Sequence, residues 1–573
     1  MKFIKLKKSL KLIVTLDFNE IPNLEKLDLE GCINLRSLHP SIGVHQKLTF
    51  LNLKDCKNLR SLPSKFEMEF LEILILSGCS NLKRIPEFGE NMESVSVLYL
   101  DGTAITKLPT SIENLTGLVS LNVKDCKNLI SLPSTFFNMN WLKDLNLSGC
   151  SKLENLVIEK RVEEVDVSGT SAGLMAYSNA LFKTLKRLAF SGFKPRSPNR
   201  MSLLLTSLSG LCSLTILDLS YCNLNAIPND ICRLFSLEKL HLNGNNFDCL
   251  PESIAQLSRL RWLEVNNCTS LRSWPKLPLN IDTIWGAGCT SLETLPDLFP
   301  PNCLFGGELW LPNCSKLAEN QGFIHSGLLF FAMILSSLRR PLSGMFPANR
   351  YDIVIPGSEI PKWFTHQSIG DEVSIQVPNS LLCNEWIGIA VCAVFCSNPH
   401  QQILEEDSVH CSLIVNGEHM ERVPYTLEIV PLSDHIWLLY LLPQYYEKEL
   451  IKIKSLWECD ANGCSQIGIK IEDGWLVSES LLVKKCGLRM VYKKDIEDLN
   501  FDNSMAMAAE GYKAKRTSDE YDGAGSSNYE PQPKRIERLT DLWLKESSED
   551  EEFAEDSSEG SSEYEECAEE LGD

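Results

Sequence analysis

Through the first half of the chain the apolar positions fall in a short frame that keeps returning. Leu24-Glu25-Lys26-Leu27-Asp28-Leu29-Glu30-Gly31-Cys32-Ile33-Asn34-Leu35 reads L-x-x-L-x-L-x-x-C-x-x-L. The ninth position of the frame recurs at Cys56, Cys79, Cys126, Cys150, Cys222, Cys268, Cys289 and Cys314, with degenerate copies at Thr103, Thr170, Phe193 and Asn245. Steps of 20 to 29 residues between these anchors are the mark of stacked structural repeats. Within each copy, x-L-x-L predicts a short strand whose leucines point inward while the intervening residues face the other way. The remaining residues must return along the opposite side, often through Leu-Pro (Leu62-Pro63, Leu108-Pro109, Leu132-Pro133, Leu250-Pro251). Proline there excludes a long helix and favours an extended or turn path.

Stacked at ~4.8 Å, such strands make an arc of roughly 60 Å. The expected fold is a leucine-rich-repeat solenoid over residues 1–317, an α/β horseshoe of mostly short parallel strands with an irregular convex side. The ninth position must be small and compatible with buried backbone, which makes Cys32, Cys56, Cys79, Cys126, Cys150, Cys222, Cys268, Cys289 and Cys314 structural anchors. Past Cys314 the phase is lost. Ala318 to Leu338 reads as a helix within a connector, 318–345. From Tyr351 alternating segments with turn punctuation begin: Asp352–Gly357, Glu372–Pro378, Trp386–Phe395, Cys411–Val415, His435–Leu442, Ile451–Trp457, Ile467–Ile471 and Gly487–Tyr492. Several short strands in this spacing predict an antiparallel β-sandwich over 346–495. Within it, Trp363 and Trp386 sit in apolar runs and read as core, and the loops Asn398–Asp407 and Gln444–Glu449 as contact candidates.

Charge adds a last segment, 496–573, with too little to bury and an expectation of disorder. The 573 residues carry 55 Lys and Arg against 76 Asp and Glu, a net of −21, of which −14 lies between Asp541 and Asp573. A nearly neutral body disfavours direct nucleic-acid binding through phosphate charge. Lys5, Lys7, Lys8 and Lys11 interrupt any apolar run at the start, and Gly327–Leu335 falls far below the ~20 residues of a membrane span. Twenty-one cysteines are a modest density at this length. The reading is a thiol-reduced, cytoplasmic protein without a membrane span. Two basic clusters, Lys513/Lys515/Arg516 and Lys534/Arg535/Arg538, could form a split nuclear-import signal or belong to a solvated tail.

Catalytic and metal motifs are thin. Gly169-Thr170-Ser171-Ala172-Gly173 matches G-x-S-x-G, but Thr170 is a repeat anchor and Ser171 falls in an ordinary solenoid turn. His400 and His410 around Glu405-Glu406-Asp407, and Cys459 with Cys464, do not reproduce a zinc spacing. The sequons at Asn114 and Asn146 are incidental in a cytosolic chain. No metal and no cofactor is expected. Surface chemistry is more informative: the residues between the last two leucines of each frame should share the concave face. Tyr99, Asp218, His241, Glu264, Trp285 and Trp310 are the protein-binding candidates there, because exposed aromatic rings make binding hot spots. Trp285 and Trp310 have an alternative, burial against the connector and sandwich.

The Leu-Glu-x-Leu-x-Leu-x-Gly-Cys repeat with its Leu-Pro returns resembles the repeat domain of plant TIR-type nucleotide-binding leucine-rich-repeat disease resistance proteins. Ile355-Pro356-Gly357-Ser358-Glu359-Ile360-Pro361-Lys362-Trp363-Phe364, followed by Gly388–Phe395, is similar to their post-repeat jelly-roll/Ig-like domain, the C-JID. The resemblance implies a jelly-roll topology for the sandwich and a partner that is a pathogen effector protein or a host immune-receptor subunit. No G-x-x-x-x-G-K-[ST] occurs, so the nucleotide switch and the NAD-cleaving activity of the family map to no residue here. The expectation is a non-enzymatic recognition module. A truncated adaptor or decoy, or a fragment of a complete receptor, are the alternatives.

Overall fold

The computed structural model describes residues 1–133, 142–153, 156–157, 163–170, 174–175, 185–192, 211–296, 307–319, 350–384, 386–397, 408–426, 433–442, 463–473, 481–492 and 494–495. The anchor Phe193, Ser171, His400, Cys459, both candidate contact loops, the Ile451–Trp457 segment, most of the expected connector helix and the entire tail lie outside them. The start of the connector is a short helix, Ser315–Glu319.

Each repeat contributes a three-residue strand, from Phe3–Lys5 and Lys26–Asp28 through Thr283–Trp285 to Glu308–Trp310. Every strand pairs in parallel with the next, in the same register throughout. After the first strand, whose Ile4 is half-buried, the central residue of each is buried: Leu27, Leu51, Leu74, Leu98, Leu121 and their successors to Leu309. The flanking residues are mostly half-exposed on the other face. Alternation at period two thus assigns one side of the sheet to the core and one to solvent. Several return paths are 3₁₀ turns, Pro40–Val44, Thr110–Asn114, Asn229–Arg233 and Glu252–Gln256, with Pro109, Pro228 and Pro251 extended just before the last three. Proline fixes φ and supplies no N–H, so the chain turns tightly after it and drops Ile112, Ile231 or Ile254 into the core.

The anchors close the strand-to-turn bend. The residue before each sits at positive φ, and Gly78 (φ 72°), Asp55 (57°) and Asn267 (59°) occupy it; these are the residue types that tolerate this region. Tyr221 at φ 56° is the exception. Each cysteine anchor then donates to a carbonyl of the preceding repeat, whereas Thr170 Oγ1 donates to Val167 O of its own repeat at 2.8 Å. Cys56 Sγ reaches Leu29 O at 3.2 Å, Cys150 Sγ reaches Val123 O at 3.1 Å, and Cys268 Sγ reaches Leu242 O at 3.2 Å. Asn245 serves the same purpose with Nδ2, at 3.0 Å from Leu219 O.

The last repeat strand does not end the sheet. Glu308, Leu309 and Trp310 pair in parallel with Asp352, Ile353 and Val354, and the Arg350–Pro356 strand pairs antiparallel with His435–Leu441. Trp386–Ser397, Leu481–Tyr492 and His366–Ile369 follow, so that 19 strands among the described residues form one sheet. A second sheet, Glu372–Pro378, Cys464–Asp473, Ser408–Val415 and Glu418–Thr426, faces it as the other layer of an antiparallel sandwich. Tyr351, Ile353 and Ile355 continue the solenoid core, while Val354, Trp437 and Leu439 face the sandwich interior. The largest buried aromatic side chains of the sandwich are Trp437, Tyr351 and Tyr440. Trp363 and Trp386, read from sequence as core, are half-buried at its margin, and Arg489 stacks 4.4 Å from the centre of the Trp363 ring.

Candidate protein-binding surface

Constant register lines up one residue per repeat across the concave face. Asp166, Ala189, Asp218, His241, Glu264, Trp285, Trp310 and then Val354 of the sandwich are consecutive neighbours. The six sequence candidates all lie on this row or its continuation, but they do not form one site. Tyr99 stands apart, on the wall of a depression toward the other end of the arc. Asp218 is committed locally, its Oδ1 accepting the Ser220 N–H at 2.8 Å.

His241, Glu264 and Trp285 do come together. His241 Nδ1 lies 2.8 Å from Glu264 Oε2, with side-chain exposures of 23% and 13%. Asn243 Nδ2 donates to the same oxygen at 2.8 Å, and Trp262 Nε1 donates to Oε1 at 2.7 Å. Burial pushes the Glu264 carboxyl up, but the hydrogen bonds from His241, Asn243 and Trp262 outweigh it, leaving the group below its ordinary value. A charged carboxylate is therefore held at the centre of the cluster. The Trp262 ring packs 5.0 Å from Trp285, which packs edge-on 5.5 Å from Trp310. Lys239 Nζ sits 5.3 Å from the Trp262 ring centre, a cation–π distance.

Trp310 presents no face to a ligand. It is 3% exposed and packs with Val354, Val391 and Leu439 in the sandwich core. Trp285, half-buried, packs against the edge of that core. Trp262 and Lys239 are not reached from the position between the last two leucines or from the one two residues after it, where Asn243 lies. The signal was available: Trp262 and Lys239 are two residues before Glu264 and His241, hence on the same face of their strands. The cluster brings together aromatic area, one fixed carboxylate and an ammonium group. Among the described residues no three His, Cys, Asp or Glu side chains converge as a metal site would require.

Family comparisons agree with this two-part architecture. Residues 66–159 match the leucine-rich repeats described as "Disease resistance protein RPS4B-like", residues 212–269 match a general leucine-rich repeat, and residues 355–497 match the C-JID domain. "Disease resistance-like protein DSC1" of Arabidopsis thaliana is 36% identical over 398 residues, 68% of this chain and 27% of its own length. "TMV resistance protein N" of Nicotiana glutinosa is 32% identical, covering 67% of this chain and 34% of itself. "Disease resistance protein RPS4" of Arabidopsis thaliana is 28% identical over 86% of this chain and 37% of itself. The chain thus spans about a third of the length of these curated relatives. With repeats of the RPS4B-like type and, further along, a C-JID, it is built from modules found in plant TIR-type nucleotide-binding leucine-rich-repeat disease resistance proteins.

Proposed function

We propose that the chain is a non-enzymatic protein-recognition module of plant immunity, which senses a pathogen effector protein in the cytoplasm with the C-terminal end of its repeat arc. The observation that carries this reading is the pairing of Trp310 with Val354. It joins the concave face and the C-JID in one continuous sheet, so the Trp262/Trp285/Glu264 cluster and the adjoining sandwich edge offer a single footprint. Half-exposed indoles beside an anchored carboxylate match the anatomy of an interface centre, and a standard interface of ~1,600 Å² fits such a footprint. Recognition by shape and charge requires no cofactor.

The test is co-purification from infected tissue, comparing the intact chain with a Trp262→Ala/Trp285→Ala variant that keeps its thermal midpoint. Loss of a pathogen protein from the variant supports the reading. Undiminished capture of that protein overturns it. Recovery of host receptor subunits alone would favour the adaptor.

A further inference from the structure

The concave face has a second distinctive zone. Phe50, Ile73 and Val97 are neighbours in one register row, and Ile75 and Tyr99 in the next, all half-buried on the outward side of the sheet. Sheet faces of a solenoid seldom show aliphatic side chains to water without reason, since exposure forfeits ~25 cal/mol per Å² of burial. Continuing along the first row, Val97 is followed by Ser120, Asp144, Glu164 and Arg187. These last four residues, with Tyr99 and Asp166, line a depression of about 210 Å³. Its ionic lining is three carboxylates against one guanidinium. Glu164 has Arg187 at 3.7 Å, and the neighbouring Glu163 is held by Lys186 at 2.8 Å and Lys143 at 3.6 Å. Asp144 has no hydrogen bond to its carboxylate and no cation within 4 Å among the described residues. Burial and then Glu163 push its pKa up, and the more distant Lys143 and Arg187 offset this only in part.

We infer that this zone takes a basic, amphipathic segment of a partner protein: bulky apolar side chains on the Phe50–Tyr99 patch and a lysine or arginine on Asp144. The inference rests on the protein-recognition reading and names the chemistry of a second contact, separate from the tryptophan cluster. Val97 and Asp144 are two strands apart, ~10 Å, which an extended peptide spans in about three residues. Opposite charge in a concave site sets the preference: a segment carrying acid there would meet three carboxylates, and like charges in juxtaposition weaken binding strongly.

The experiment selects a random dodecapeptide phage library on the intact chain and measures the enriched peptides by fluorescence anisotropy. Enriched sequences should place Lys or Arg about three residues from a large apolar side chain. Asp144→Asn and Val97→Ser should each weaken them about tenfold, and raised salt should weaken them further. Both substitutions leave the inward-facing Leu145 and Leu98 in place, and an unchanged thermal midpoint confirms folding. Enriched peptides without a basic residue, peptides indifferent to Asp144→Asn and Asp144→Lys, or no enrichment would each overturn the assignment. Peptides lost in Trp285→Ala but retained in Asp144→Asn would overturn it while leaving the proposed function intact.

Discussion

Asn313 and His435, 122 residues apart in the chain, are joined by a hydrogen bond: the Asn313 N–H donates to His435 Nε2 at 2.9 Å. His435 Nδ1, 2.7 Å from Ser433 O, must then carry the proton. Asn313 precedes the last anchor, Cys314, and His435 begins a strand of the sandwich, so this contact ties the end of the solenoid to the C-JID through a neutral imidazole.

Stability of the joint should therefore depend on pH. Burial, partly offset by the Ser433 carbonyl and by Asp434, holds the His435 pKa below its ordinary 6.5. The unfolded chain takes up a proton that the folded chain refuses, so stability rises with pH in this range. The contribution is complete above about pH 6.5 and is lost as pH falls below it, by up to ~1.4 kcal/mol per unit, until the folded imidazole also protonates. Urea unfolding of the intact chain at about pH 7.5 and pH 5.5 should show this loss, and His435→Gln should reduce it. An unchanged pH dependence in the variant would place the titrating group elsewhere.

Gly78 tests the turn geometry. Its φ is +72°, and a Cβ there would lie 2.3 Å from Asp55 Oδ1, whereas a Cβ on Gly102, at φ +68°, meets nothing nearer than 3.6 Å. Gly102→Ala should cost only the left-handed penalty, ~1 kcal/mol. Gly78→Ala should cost more, by the displacement of Asp55. Equal losses by chemical denaturation would mean that Asp55 swings away freely.

The anchor thiols should be chemically silent in the folded chain. Burial pushes Cys56, Cys150 and Cys268 up to about 12, leaving roughly one thiolate in ten thousand at pH 8. Cys212 and Cys464 are exposed. Brief iodoacetamide treatment read by mass spectrometry should label Cys212 and Cys464 and spare the three anchors, which should react once guanidinium unfolds the repeats. Native labelling of Cys56 at the rate of Cys212 would show that the stacked turns open readily.

The repeats were legible in sequence because each unit writes its own strand, inward leucine and anchor into about two dozen consecutive residues. Register followed from the fixed frame within each repeat, whatever the length of the return path, which is why the row of residues between the last two leucines could be read directly. The hydrogen-bond acceptor of each anchor was less accessible, since it belongs to the preceding repeat: Leu29 for Cys56, Val123 for Cys150. In the sandwich, Glu372–Pro378 alternates cleanly between exposed and buried and was readable. His366–Ile369 and Glu418–Thr426, HQSI and EHMERVPYT, lack such an alternation of apolar and polar residues, and each pairs with a neighbour on one side only among the described residues. The junction was the hardest part. Which residue covers Trp310 depends on a strand 44 residues later, and no local periodicity encodes that pairing.

Trp310 should accordingly be the residue whose loss uncouples the two modules. It is 3% exposed, stacks against Trp285 and fills the space beside Val354 and Leu439. Removing a buried tryptophan side chain costs ~3–5 kcal/mol, and here the void opens beside the strand pair that makes the sheet continuous. Trp310→Ala should thus accelerate amide exchange at Leu311, whose N–H donates to Val354 O at 2.8 Å, before it affects amides in the middle of the arc such as Leu121. Trp285→Ala, at the half-buried edge, should destabilise less and leave Leu311 protected. If Leu311 and Leu121 instead lose protection together in Trp310→Ala, the solenoid and C-JID unfold as one cooperative body and the joint has no stability of its own to lose.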